Sequence, residues 1–374
     1  MHSNAPERWT GTVVVGGGQA GLVMAYYLKR AGEDFVVLEG DARIGDVWRR
    51  RYDSLRLFSV PRYASLPGWR IPIDGFPTRL EMADYLEQYA ARFDLPVHTG
   101  VRVEQVKRDG DLFVVQTSEG SYRADRVVVA TGVHQLPTTP AFATDLDPSI
   151  RQLHSVEYRN PSQFAPGGVL VVGAANSGTD VALDAAAAGH PTWIAGRHPG
   201  QVPVDIGTRR GKVVVPIVMF VFKHVLTLRT PMGRKARAKA MHQGVMLVRN
   251  KLADLDAAGV HRLGRIAGIH DGRPMTDEGP VPEVGTVVWC TGSTADHSFL
   301  DASAFGADGL LAQRRGVGAI PGLYFLGLEF QFALASGTIQ GLDRDARYLM
   351  RQLRRAPKSA LHEDAERRLE RVAS

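Results

Sequence analysis

The chain has 374 residues, with 45 Lys and Arg against 39 Asp and Glu, a formal charge of +6, 44% hydrophobic residues and 40 glycines. That length and mix describe an α/β protein of two or three compact units and exclude a disordered, fibrous or short peptide-binding chain. One cysteine, Cys290, excludes an intramolecular disulfide framework, a CxxC redox pair and a cysteine-held zinc or iron–sulfur centre. The twelve histidines show no HExxH or other ligand spacing, so no metal is expected.

Residues Met1 to Trp9 are polar and of mixed charge and run straight into a strand, without the basic-then-apolar order of a secretory signal, so a cytoplasmic protein is expected. The strand Thr12-Val13-Val14-Val15 leads into Gly16-Gly17-Gly18-Gln19-Ala20-Gly21, a helix-like stretch from Leu22 to Arg30, Gly32, and a second strand from Phe35 to Leu38 that ends at Glu39. This is the full context of a dinucleotide-binding turn: strand, glycine turn, helix, strand, and an acid 23 residues beyond the first glycine. Gly16 permits the tight turn, Gly18 lets the backbone approach a pyrophosphate, and Gly21 lets helix and strand pack closely. Glu39 can accept from the ribose hydroxyls of an adenosine, and helix N-terminal amides solvate the phosphate.

A short β-rich stretch follows, Val101 to Lys107 and Leu112 to Thr117, and then an apolar strand ending in Thr-Gly, Arg126 to Gly132. A second turn begins after Val169-Leu170-Val171-Val172, as Gly173-Ala174-Ala175-Asn176-Ser177-Gly178, with a helix from Thr179 to Ala188 and a strand from Thr192 to Ala195. The same 23-residue step from Gly173 reaches Gly196, followed by Arg197 and His198, where the first copy has its acid. No carboxylate repels a 2′-phosphate there, and a guanidinium offers it a bidentate partner. The first turn therefore reads as a site for FAD and the second for NADPH. Arg197 as an ordinary surface residue is the alternative.

From Ile206 to Ala253 there is no acid but eleven Lys and Arg, so the rest of the chain carries −5. Inside lies the apolar run Val213 to Phe222, about half of the ~20 residues a bilayer span needs. One reading is a core-packed segment followed by a solvated basic helix. The other is a membrane-surface contact, an acidic-partner contact or the mouth of an apolar substrate pocket. Nucleic acid is not expected, since no binding motif or aromatic stacking set accompanies the charge. Thr286 to Gly292 is a second apolar strand ending in Thr-Gly, and it holds Cys290, which reads as a small buried hydrophobe. After Pro357, Leu361, Ala365, Leu369 and Val372 form one helical stripe, suited to packing on the domain or to pairing in a homodimer.

Together these elements predict an α/β fold of two Rossmann-like dinucleotide-binding domains, glutathione-reductase-like, with the NADPH domain inserted into the FAD domain. The expected boundaries are 1–155 for the first part of the FAD domain, 156–284 for the NADPH domain with its basic and apolar insertion 206–253, and 285–374 for the rest.

The motifs resemble the flavin-containing monooxygenase group, including small bacterial members and the plant YUCCA-type enzymes. The resemblance is carried by VVVGGGQAGL, Gly45-Asp46-Val47-Trp48, Tyr52 to Leu57, ATGVHQLP (Ala130 to Pro137), VVGAANSG, VVWCTG and GLYFLGL (Gly322 to Leu328). It implies that Trp48 and Leu55 to Leu57 line the flavin ring, that Val103 meets the adenine through its backbone, and that Ser336 to Tyr348, with Gln340, closes the flavin site from below. With Gly45, Ala130, Thr131, Gly132 and Gly292 these complete the expected cofactor-binding set. Asn176, in the second turn, is the candidate catalytic residue, with helix N-capping as its alternative.

Two departures accompany the resemblance. The group's Phe-x-Gly-x-x-x-His-x-x-x-Tyr/Phe fingerprint survives only as His154 and Tyr158, with Pro148 and Ile150 at the Phe and Gly positions, and Gly327 is followed by Leu328 and Glu329 where an Asp would reach the ribityl chain. The implied activity is transfer of one oxygen from O2, through a C4a-hydroperoxyflavin formed after NADPH reduces FAD, to a small apolar substrate by S/N-oxidation or Baeyer–Villiger chemistry. The alternatives are an NADPH-dependent electron-transfer flavoprotein that reduces a quinone or ferredoxin, and a non-catalytic nucleotide sensor.

Overall fold

The protein is seen here as a computed structural model that describes residues 7–202, 204, 208–240 and 246–355. The helical stripe expected after Pro357 lies outside the described residues. Two parallel sheets organise the chain. In the first, Glu7–Val15 sits between Phe35–Glu39 and Gly120–Val129, with Val97–Thr99 beyond Phe35–Glu39 and Leu323–Phe325 beyond Gly120–Val129, all parallel. The antiparallel strands Val103–Asp109 and Leu112–Thr117 branch from Gly120–Val129.

The second sheet has the order His261–Leu263, Thr192–Ala195, Gly168–Val172, Val284–Trp289, Arg151–His154, again all parallel. Arg151–His154 and Val284–Trp289 thus belong to the second sheet, beyond the boundaries expected at 155 and 284. Val284–Trp289 is an apolar strand paired directly with Gly168–Val172, and Arg151–His154 is a more polar edge strand paired with Val284–Trp289; sequence spacing alone does not assign either to a sheet.

The central strands of both sheets are buried on both faces, which is why they read as continuous Val and Leu runs. In the first, Val14, Val37 and Val128 enter one core with the helices Gln19–Arg30, Arg79–Arg92 and Ile339–Leu353, while Val13, Val15, Val36, Leu38, Val127 and Val129 enter the other. The second sheet alternates likewise, with Val169, Val171 and Val288 on one side and Leu170, Val172, Val287 and Trp289 on the other. Each such side chain taken fully out of water contributes about 1.5–3 kcal/mol.

The chain crosses between the sheets after Val129 and after Trp289, and the two crossings meet. Ser293 pairs with Pro137 and Thr294 with Leu136 as a short antiparallel ribbon. The Thr138 amide donates to the Gly292 carbonyl at 3.0 Å, and His134 Nδ1 lies 3.1 Å from Ser293 Oγ.

Candidate active site

The two turns are built on one backbone pattern. The Gly16 amide donates to the Leu38 carbonyl and the Gly173 amide to the Ala195 carbonyl, both at 2.8 Å. Ala130 N–H reaches Val15 O at 2.9 Å and Cys290 N–H reaches Val172 O at 2.8 Å. Helices start at the equivalent residues Gln19 and Asn176. Glycine is obligatory inside each turn, because a Cβ on Gly21 would fall 1.8 Å from Gly16 O and one on Gly178 1.7 Å from Gly173 O. The residues after Leu38 and Ala195 are Glu39 and Gly196, so the acid of one copy and the Gly196-Arg197-His198 corner of the other occupy equivalent places.

At the first turn Glu39 Oε2 accepts from Gly17 N–H at 2.6 Å and Oε1 from Asp41 N–H at 2.8 Å. Burial raises its carboxyl above the usual range, and the two amides oppose that rise. Val101 N–H donates to Glu39 O at 2.9 Å, which brings the start of the Val103–Asp109 strand to the acid. Trp48 Nε1 donates to Gln19 Oε1 at 3.3 Å, joining the tryptophan to the helix start. Gly327 comes against Ala20, where its Cβ would be 3.2 Å from that of Ala20, so the loop after Leu323–Phe325 closes beside the turn. Gln331 Oε1 accepts from the Gly327 and Leu328 amides at 3.1 and 3.3 Å and fixes that loop. Gln340 is the second residue of the helix Ile339–Leu353, which packs beside Gln19–Arg30.

Two of the expected residues also have packing duties. Gly45 is held at φ +88° with a would-be Cβ only 2.6 Å from Ala83 O, so its missing side chain lets the helix Arg79–Arg92 approach. Leu57 is buried in the first core and donates its amide to Pro77 O at 2.7 Å.

A cradle for a dinucleotide needs open space above the glycine turn and unspent polar groups, and the first site has both. Among the described residues a Cβ on Gly18 would meet nothing within 4 Å, and the buried Thr131 Oγ1, between Ala130 and Gly132, has no hydrogen-bond partner. A Cβ on Gly132 or Gly292 would likewise meet nothing, so the crossing points of both units stay open. These residues fit FAD. At the second site Arg197 is exposed and makes no hydrogen bond or ion pair among the described residues, while His198 Nδ1 accepts from Gly200 N–H at 3.1 Å. An uncommitted guanidinium at the end of the second strand fits the 2′-phosphate of NADPH.

Asn176 is the first residue of its helix, with Ala175 in the cap position, so it is not the N-cap. Its Nδ2 donates to Met246 O at 3.3 Å, tying the turn to the end of the basic segment. Ser177 follows in the same helical turn.

The sequence reading missed the joint between the units. Tyr52 OH donates to Asp180 Oδ2 at 2.8 Å, and Arg249 and Asn250 both reach Asp180 Oδ1. One helical turn on, Asp184 Oδ2 accepts from Ser54 Oγ at 2.6 Å and Tyr158 OH at 3.1 Å. Burial lifts Asp180 to about 6 against an ordinary 3.8. The available signal was a pair of acids four residues apart on an otherwise alanine-rich helix that has an apolar face to bury. His154 and Tyr158 belong to this framework: His154 Nε2 lies 3.0 Å from Gly292 O, and the fully buried Tyr158 stacks on Phe164. Cys290 packs on the second core, and burial pushes its thiol up to about 12.

A family model described as pyridine nucleotide-disulphide oxidoreductase matches residues 13–228. The disulphide part of that description finds no cysteine pair here, since Cys290 stands alone. A CzcO-like oxidoreductase of Geobacillus kaustophilus is 34% identical over 352 residues, 91% of this chain and 97% of its own. A probable indole-3-pyruvate monooxygenase of Arabidopsis thaliana, YUCCA9, is 36% identical over 188 residues, 47% of this chain and 44% of its own. A solved flavin-containing monooxygenase from Stenotrophomonas maltophilia matches with TM-score 0.75 and 26% identity over 92% of this chain and 98% of that one. The chain belongs to the pyridine nucleotide-disulphide oxidoreductase family, alongside flavin monooxygenases, and is a flavin-dependent oxidoreductase.

Proposed function

We propose that the protein is an NADPH-consuming FAD monooxygenase that delivers one atom of O2 to a small apolar substrate. The observation that carries this reading is the opposed chemistry of two otherwise matching turns, Glu39 in one and Gly196-Arg197 in the other, each packed against the start of one of the two crossings that pair with each other. Its relatives' names add the reaction type, since both the Arabidopsis and the Stenotrophomonas proteins are named as monooxygenases.

The residues of the first turn, Gly16, Gly18, Gln19, Ala20, Gly21 and Glu39, with Trp48, Val103, Ala130, Thr131 and Gly132, would hold FAD. Those of the second, Gly173, Asn176, Ser177, Gly178, Arg197 and His198, would hold NADPH. Bound flavin, once reduced by the nicotinamide, supplies the activation of O2, with one oxygen going to substrate and the other leaving as water. The protein's own share is orientation and exclusion of water. Glu39 fixes the first turn by accepting two amides, the Ser293–Thr294 and Leu136–Pro137 ribbon sets the two open crossings side by side, and the Tyr52–Asp180 joint registers the second helix against the first unit. Asn176 presents an amide at the head of the second helix, and its bond to Met246 O aligns it. As folding units we propose residues 7–129 with 313–355, and 151–289.

The test is anaerobic addition of NADPH to the yellow protein, followed by 18O2 and methyl phenyl sulfide as a probe. Bleaching of the flavin and 18O-labelled sulfoxide support the reading. Bleaching with reduction of a quinone and no label in any acceptor favours electron transfer, and no bleaching favours a nucleotide sensor.

A further inference from the structure

The basic segment departs from the expectation that its apolar run is core-packed. In the helix Arg209–Phe220 only Gly211 and Val215 are buried among the side chains described, whereas Val213, Ile217 and Phe220 are 64, 58 and 59% exposed. Their spacing of four and three residues aligns them on one helical stripe. Met232, on the next helix Pro231–Ala240, is 61% exposed. Four of the nine large hydrophobic side chains exposed on the described chain therefore fall within twenty residues. Isolated apolar residues on a surface need no explanation, but an ordered cluster does.

The chain that carries these residues is basic. Arg210, Arg229, Arg234, Lys235 and Arg237 are exposed, and no acid occurs from residue 206 to 253 while the rest of the chain is net negative. The segment is also firmly held. Leu228 N–H donates to Phe332 O at 2.8 Å and Leu334 N–H to Leu226 O at 3.0 Å, while Arg344 reaches Lys223 O. At its other end Leu247 pairs with Gly200 and Val202. The segment that carries the stripe is thus anchored on the first unit at Lys223 to Leu228, directly after the helix, and on the second at Leu247, and forms a platform.

We infer that this platform rests on a bilayer surface rich in acidic phospholipid, with Val213, Ile217 and Phe220 entering the acyl boundary and the surrounding Lys and Arg meeting the headgroup phosphates. An apolar stripe rimmed by cations is the composition of a helix lying in the plane of an anionic membrane. The helix has twelve residues, and no described helix is long and apolar enough to cross a membrane, so the contact is in-plane. A second copy is the poorer occupant, since an isologous contact would set two acid-free basic surfaces against each other. The inference does not depend on the chemistry proposed above.

The test is flotation of the full-length, flavin-loaded protein with vesicles of phosphatidylcholine alone and with 30% phosphatidylglycerol, at low and high salt. The expected result is binding to the anionic vesicles that weakens at least tenfold on pure phosphatidylcholine and in high salt. A Val213→Ser/Ile217→Ser/Phe220→Ser variant, checked for unchanged flavin content and vesicle-free NADPH oxidation, loses at least tenfold in binding, and Arg234→Glu/Lys235→Glu loses it too. No binding by the wild type overturns the inference. So does binding that the triple serine variant retains in full, which would make the contact purely electrostatic, or a dimer in solution that the triple variant converts to monomer. Polyglutamate capture that depends equally on the stripe would assign the face to an acidic protein instead.

Discussion

Replacing Arg197 with alanine separates the two nicotinamide dinucleotides. The guanidinium sits one residue past Gly196, the structural counterpart of Glu39, and is exposed without a hydrogen-bond or ion-pair partner among the described residues. Nothing in the free enzyme has to break for it to meet a 2′-phosphate. A charge-assisted bond contributes about 1.5–3 kcal/mol, and an exposed site lies at the low end because water and salt screen it, giving about 1.5 kcal/mol. The expected outcome is a rise of roughly tenfold in KM for NADPH, a change within about twofold for NADH, and an unchanged kcat at saturation. Steady-state kinetics with both nucleotides, at low and at high ionic strength, measures this, and high salt should narrow the gap. Arg197→Glu, which puts an acid where the 2′-phosphate would sit, should push NADPH out further. An equal loss with both nucleotides, or no loss with NADPH, would refute the assignment of the second turn.

Gly21→Ala and Gly178→Ala should separate the two cofactors. The first forces a Cβ to 1.8 Å from Gly16 O and is expected to yield colourless protein, whereas the second forces one to 1.7 Å from Gly173 O and should leave the flavin bound while weakening NADPH, as read by flavin content and KM. Asp180, held near 6 when folded against 3.8 unfolded, makes the native state the better proton binder between those values. Stability should therefore fall by about 3 kcal/mol as pH rises from about 4 to about 6, and urea unfolding of Asp180→Asn should lose that slope. Tyr52→Phe removes a hydrogen bond that lowers the Asp180 pKa, so it should move the break to higher pH and cost about 1–2 kcal/mol. A pH profile indistinguishable from wild type in both variants would mean that Asp180 titrates normally.

What the sequence discloses is what local backbone geometry enforces. The turns at Gly16–Gly21 and Gly173–Gly178 are legible because each needs a residue with no Cβ at fixed spacing, and the strands because they are buried on both faces. The contrast between Glu39 and the Gly196-Arg197 corner is legible because Glu39 and Gly196 stand at the same 23-residue step from the first glycine of their turns, with Arg197 next in line. Contacts between distant segments are not. Tyr52 and Asp180 lie 128 residues apart, and the crossing ribbon joins residues 136–137 to 293–294. Nothing in either segment names its partner. Gly45, expected at the cofactor from the Gly45-Asp46-Val47-Trp48 motif, also has a packing duty against Ala83 that no local pattern announces. For the run Val213 to Phe222 the sequence left a core-packed and a surface reading open, and only the helix geometry shows that Val213, Ile217 and Phe220 face away from the protein.

The paired crossings also set an order of events on the ribosome. Every strand of the second sheet has been made by Trp289, whereas the first sheet still awaits Leu323–Phe325 and its core awaits the helix Ile339–Leu353. At translation speeds of about 5–20 residues per second, the early β-strands spend on the order of 3–13 s after Trp289 beside a finished neighbour before their own unit can close. During that interval Val127–Val129, the end of the strand that Leu112–Thr117 does not cover, presents a bare, apolar edge to the nascent-chain milieu, so chaperone capture or misassembly during synthesis would strike the first half of the chain rather than the middle.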